Sequence, residues 1–193
     1  MEYSRIAPIM GRLWSPIAAV TSHWQGKSNA QIAVAIAAAS IVPDMPRVLL
    51  QIYKTNYSHD LIYNSGCFAL NFLRQDQLEL INDFGLVSGR DRDKLLGVAH
   101  APRATGSPVL DDCWGFLDCR VVNAMDGGDM TCFLGDVLDG ETLSQAEPLY
   151  WRDARREIPA AWNEEWDRKI SGEIEGSKRR MPNLDFKPWQ PKA

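Results

Sequence analysis

The chain lacks a long apolar run. Its longest, residues 32–42 with Ser40 inside it, has about half the roughly 20 residues needed to cross a bilayer. Its start, Met1-Glu-Tyr-Ser-Arg5, has neither the basic region nor the apolar core of a signal peptide, so the expectation is a cytoplasmic protein with no membrane partner. Histidine is scarce. His23, His59 and His100 are scattered without ligand spacing, and no metal is expected. Cys67, Cys113, Cys119 and Cys132 form no CxxC pair, and three sit in apolar text, so they read as free thiols of a reducing compartment. There is no GxSxG elbow, no P-loop and no GxGxxG, which removes hydrolase, NTPase and dinucleotide Rossmann readings. Excess positive charge is also missing. The net charge of −4 and pI near 5.4 give no electrostatic footprint for nucleic acid.

What is present is an ordinary globular composition. In 193 residues, 45% are hydrophobic and 24% charged, enough for one domain with a real core. Residues 10–20 read as a first strand region bent by Pro16, and residues 21–29 as a loop pivoting on Gly26. Residues 31–40 are ambiguous, with flanking turn residues that favour a strand. Residues 47–53 and 67–73 read as strands, residues 57–64 as a short helix stopped by Gly66, and residues 75–84 as a helix with Leu78, Ile81 and Phe84 inward. Residues 85–108 read as a surface excursion. Residues 114–122 and 131–138 flank Asp126-Gly127-Gly128-Asp129, a hairpin signal.

The end of the chain differs. From residue 150 the net charge is +2 against −6 before it, and Trp151, Trp162, Trp166 and Trp189 fall there. The expected organisation is a domain over residues 1–147 followed by an arm over 148–193, helical and anchored by tryptophans on its own body or on a second subunit.

Ser58-His59-Asp60 does not make a hydrolase triad, because adjacent helical residues do not face one another. The stretch Tyr53 to Ser58 is more informative. It joins a strand to a helix start, where unpaired N–H groups and the dipole favour an anion. Lys54 adds a cation there, and Thr55, Asn56 and Ser58 add short polar side chains. That chemistry suits a phosphate. Spacing alone favours plain capping beside a solvated lysine over that reading.

The text from Pro16 to Phe72 resembles the flavin-reductase-like family, the FMN-binding split β-barrels. Carrying the resemblance are Asn29-Ala30, Val42-Pro43-Asp44-Met45-Pro46, Tyr57-Ser58-His59-Asp60-Leu61-Ile62 and Gly66-Cys67-Phe68-Ala69-Leu70-Asn71. Asp93-Lys94-Leu95 and the stretch from Gly128 to Val137 follow in the family's order. The resemblance spans roughly residues 10–140 and leaves the arm uncovered.

It implies a mainly β fold with helical excursions: a Greek-key split barrel, usually a homodimer with FMN at the shared interface. It assigns flavin ring and ribityl contacts to Asn29, Ala30, Gln31, Ile32 and Ala33, and phosphate contacts to Lys54, Thr55, Asn56 and Ser58. Two positions depart from the family. Gln31-Ile32 replaces its Met-Thr, and Met130 replaces a histidine that in the reductases lies near nicotinamide and flavin. Methionine carries no charge and donates no proton.

The leading expectation is an FMN-binding oxidoreductase (FAD being possible). It would pass a hydride from NADH or NADPH to flavin N5 and supply reduced flavin to a partner oxygenase or other acceptor. The cofactor carries that chemistry, so no acid–base cluster is required. Two alternatives remain: a nicotinamide-independent flavoenzyme acting on a small organic substrate, with the arm as a lid, or a non-enzymatic flavin- or haem-binding protein.

Overall fold

A computed structural model describes residues 2–192; Met1 and Ala193, the outermost residues of the two expected segments, lie outside the described residues. Its centre is a seven-stranded antiparallel sheet. The strands are β1 (Ala18–Trp24), β2 (Lys27–Ala33), β3 (Ile36–Ala38), β4 (Arg47–Tyr53), β5 (Cys67–Phe72), β8 (Gly115–Asp126) and β9 (Met130–Thr142). Their order is β2-β1-β5-β8-β9-β4-β3, and the sheet curls into a half-barrel. A separate two-stranded ribbon is formed by β6 (His100–Pro102) and β7 (Pro108–Leu110). The helices are α1 (Ala7–Met10), α2 (Tyr57–Ser65), α3 (Glu79–Ile81), α4 (Trp151–Glu157) and α5 (Ala160–Arg180), with a π-helical turn over Asn82–Leu86. The expected mainly β fold with helical excursions is what the chain adopts.

Period-two alternation explains the sheet. Ala18, Val20, Phe68, Leu70, Val48, Leu50 and Ile52 pack with Phe133 in one cluster. Their strand neighbours Ala19 and Ala69, with Ile17, turn the other way and pack against Ile81, Phe84, Leu95, Leu110 and Ala154. Each such Leu, Ile or Phe, once buried, stabilises the fold by roughly 1.5–3 kcal/mol. Asn71, fully buried, ties the ribbon down: its amide donates to the Ala19 carbonyl and to Thr21 Oγ1, and its Oδ1 accepts from the Leu110 N–H at 2.8 Å.

Several local expectations are corrected. Residues 21–29 are not a loop. β1 and β2 stay paired through Trp24↔Lys27, and only Gln25 (φ 49°) and Gly26 (φ 74°) turn. This is the two-residue hairpin connection whose twist matches the strands, and it requires positive φ. Residues 10–20 are not one strand either: α1 ends at Met10, Pro16 makes an isolated bridge to Tyr150, and β1 begins at Ala18. The helix expected over 75–84 shrinks to α3 plus the π turn, with Ile81 and Phe84 inward as expected. The excursion 85–108 is not wholly surface, since Lys94 and Leu95 are buried. Gly66 (φ 70°) ends α2 in the left-handed region as expected. Asn56 occupies the cap position of α2, but its side chain makes no capping bond.

Candidate functional site

A cleft of about 250 Å³ lies beside β2, where four separate pieces of chain converge. Asn29, Gln31 and Ile32 come from β2, and Tyr53, Thr55, Asn56 and Tyr57 from the β4–α2 junction. Phe84, Gly85, Ser88, Gly89, Arg90 and Lys94 come from the π turn and the segment after it. A fourth contribution, Trp166, Lys169, Ile170 and Glu173, comes from α5.

Of the nine residues expected to bind flavin, five line this cleft: Asn29, Gln31, Ile32, Thr55 and Asn56. Ala30 and Ala33 face the two core clusters instead. Ala30 still contributes, because its carbonyl accepts a hydrogen bond from Lys94 Nζ at 2.9 Å. Ser58 is fully buried and supports the site from behind: Asn29 Nδ2 donates to its Oγ at 2.8 Å. Lys54 is elsewhere. Its ammonium pairs with Asp126 at 2.6 Å, against a different cavity lined by His59, Tyr63, Thr131 and Trp189. Met130 sits opposite Tyr53 in the β4–β9 ladder, one strand away from the cleft wall.

The cation at the α2 end of the cleft is therefore Arg90. Its guanidinium donates to the Thr55 carbonyl at 3.1 Å and to Asp60 Oδ2 at 2.6 Å, and it lies 5.2 Å from the centre of the Tyr57 ring. Asn56 leaves the first N–H groups of α2 without a side-chain cap, that of His59 donating to the Asn56 carbonyl at 3.0 Å. A helix N-terminus with an adjacent guanidinium is a site for a phosphate-sized anion.

Two features show how tightly the chain packs around Asn29. Asn29 Oδ1 is buried and has no hydrogen-bond partner. Such an atom costs about 1–3 kcal/mol unless something satisfies it. Gly89 packs directly on it: a methyl group at Gly89 would overlap the Asn29 amide and press on the Tyr57 ring.

The electrostatics follow from burial. The Lys94 ammonium is buried and donates to the carbonyls of Ala30 and Phe84. Loss of water, reinforced by nearby Lys169 and Arg92, lowers its pKa to about 7. Burial raises the Tyr53 phenol, with Asp129 and Glu173 adding to the effect. Burial also raises the Glu173 carboxyl, against the pull of Lys169. Among the described residues no group of three or more His, Cys, Asp or Glu side chains is placed to hold a metal ion. No helix among them is long and apolar enough to cross a membrane.

Arg90 and the α5 residues were not legible as site residues. Arg90 lies in text that reads as surface loop, and Trp166 lies in a tail outside every recognisable motif.

Comparison with known proteins gives a consistent result. The family model "Flavin reductase like domain" matches residues 10–159. The chain is 30% identical over 142 residues to the high molecular weight rubredoxin of Moorella thermoacetica, covering 71% of this chain but 61% of that protein, less than two thirds of its length. It is 31% identical over 136 residues to the ferric-chelate reductase (NAD(P)H) of Archaeoglobus fulgidus, covering 69% of this chain and 79% of that one. Among solved structures, nitrilotriacetate monooxygenase component B from Mycobacterium thermoresistibile aligns with TM-score 0.65 at 27% identity, covering 76% of this chain and 80% of that one.

Proposed function

The chain belongs to the flavin reductase-like domain family, and from that premise we propose that it binds FMN in the cleft and is reduced there by NADH or NADPH. The observation that carries the reading is the convergence of the uncapped N-terminus of α2, Arg90 and the β2 residues Asn29 and Gln31 on one cleft. The phosphate is held by the α2 N–H groups, Arg90, Thr55 and Asn56. Asn29 and Gln31, which line the cleft, meet the polar edge of the ring system. Ile32 and Phe84 supply apolar surface and exclude water. Once bound, the flavin supplies hydride acceptance from a nicotinamide and onward electron transfer.

FMN is preferred because one anion site closes the cleft. An FAD adenylate would follow the open groove beyond Arg90, past Lys27, Arg92 and His100. A homodimer fits the exposed apolar groove of Phe72, Trp114, Leu117, Val137 and Leu138, which a second copy would cover. Supply of reduced flavin to an oxygenase fits the likeness to a monooxygenase component B. A cytoplasmic location fits four free thiols.

The test is anaerobic. Purified protein is titrated with FMN, then NADH and NADPH are added in turn while the visible flavin absorbance is followed. Rapid bleaching supports the reductase. Tight binding with no bleaching favours a second reading, a nicotinamide-independent flavoenzyme, which Met130 at the family's histidine position also supports. Absence of binding rejects both.

A further inference from the structure

The family match ends at residue 159, and α5 begins at Ala160, yet four α5 residues line the cleft. The helix is pinned there from several directions. A methyl group on Gly85 would collide with the Trp166 ring, so the bare backbone of the π turn is what lets the indole seat. Lys169 Nζ donates to the carbonyl of that same Gly85 at 2.5 Å. Behind the indole, Trp151 packs at 4.5 Å between ring centres, tilted by 49°. Arg155 pairs with Asp167 at 3.0 Å, and Asn163 donates to the Arg155 carbonyl at 3.1 Å, which ties α5 to α4. Trp166 is thus held against Gly85, Ile32 and Trp151, and it stays half-buried while lining the cleft. At about 250 Å³, the cleft is already below the roughly 300–1,000 Å³ of most small-molecule sites, so any occupant must meet this wall.

We infer that Trp166 is a ring-binding residue: the arm supplies the wall on which the planar ring system of the bound flavin stacks, and so governs which flavin is held and what reaches it. The inference rests on the flavin reading above. A large rigid aromatic held from behind contributes stacking at little entropic cost, and its quadrupole favours offset or tilted contact with another ring. Arg90 and the start of α2 supply the anion site, on elements separate from α5, whose Trp166 and Ile170 offer the ring surface beside Lys169 and Glu173.

This division of roles makes a prediction that a purely structural tryptophan would not. Affinities of the full-length chain for FMN and for riboflavin, which has the ring but no phosphate, are measured by calorimetry for wild type, Trp166→Leu, Trp166→Phe and Arg90→Gln. Folding of each is checked by thermal melting. Trp166→Leu is expected to weaken both ligands by the same factor, roughly tenfold. Trp166→Phe, with its smaller ring, is expected to weaken both ligands by the same smaller factor, roughly threefold, and serves as the working variant if the leucine protein melts below the assay temperature. Arg90→Gln weakens FMN and leaves riboflavin unchanged. If wild type binds FMN but the Trp166 variants bind both ligands as wild type does, or lose FMN alone, the ring-binding role is overturned and the flavin reading stands. If wild type binds neither flavin, the flavin reading itself fails and this one with it.

Discussion

Asn29 Nδ2 donates to Ser58 Oγ at 2.8 Å, joining β2 to the first turn of α2 with both side chains buried. The bond sets the amide so that Asn29 Oδ1 is the atom left without a partner. Ser58→Ala removes the acceptor and strands the Asn29 NH₂ group as well. The expected cost is about 1–3 kcal/mol of unfolding free energy, measured by urea denaturation. Flavin affinity should fall too, since the amide is then free to rotate. A variant as stable as wild type with unchanged affinity would show that Ser58 does not position Asn29.

This contact also shows what the sequence made legible. Asn29-Ala30 and Tyr57-Ser58 are local motifs whose chemistry is written in neighbouring residues, and the strand–helix junction at Tyr53 to Ser58 presents helix donors wherever it folds. Gly66 and the Asp126–Asp129 turn were legible for the same reason: positive φ and hairpin geometry are local demands. Thr21–Trp24 misled because Thr, Ser and His suit a loop as well as a strand, and only pairing with β2 and β5 decides between them. Lys94, though part of a recognised motif, showed no sign of its contacts, and Arg90 and Trp166 were not legible as site residues. Their partners Ala30, Thr55 and Gly85 are 64, 35 and 81 positions away, contacts that only the tertiary fold makes.

Lys54 was the cation first expected at the phosphate. Its ammonium is instead committed to Asp126, which is also held by the Gly128 and Asp185 N–H groups. Moving Lys54 into the cleft would leave that carboxylate with one fewer partner. Lys54→Ala is therefore expected to change FMN affinity by less than about twofold, while losing up to about 1 kcal/mol of stability as a partly exposed pair. A tenfold loss of affinity by fluorescence titration would return Lys54 to the phosphate site.

Gly85 joins the body to the arm. An alanine there meets the Trp166 ring, so either the π turn or α5 must shift. Crowding of this kind typically costs about 1–3 kcal/mol. Because the arm packs through Trp162 and Trp166 while none of α5 is fully buried, α5 should yield first. Limited trypsinolysis of Gly85→Ala should release the arm at Arg155, Arg156 or Arg168 several-fold faster than in wild type, with the sheet intact. Equal rates would mean that the indole does not depend on this glycine.

Lys94 gives the chain a stability that rises with pH, as depressed carboxylates do, but in the neutral-to-alkaline range instead of in acid. Its pKa is about 7 when folded and near 10.5 when unfolded. Between those values the unfolded chain holds more protons, so folding stability rises with pH, by at most about 1.4 kcal/mol per unit. Below about pH 7 both states are protonated, and the cost of burying the ammonium is present in full. Lys94→Met keeps the stem and removes the titration. It leaves the carbonyls of Ala30 and Phe84 without that donor, a penalty that does not vary with pH. Buried thiols titrate in the same region with the opposite sign: burial pushes Cys113 up to about 11 and raises Cys119 as well, so they take stability away as pH rises past 9. They are common to both proteins and cancel in the difference. Urea unfolding at pH 7, 8 and 9 should therefore show the stability of wild type climbing relative to Lys94→Met at each step. Parallel curves would mean that the ammonium stays charged across the range, held by its two carbonyls more strongly than burial opposes it.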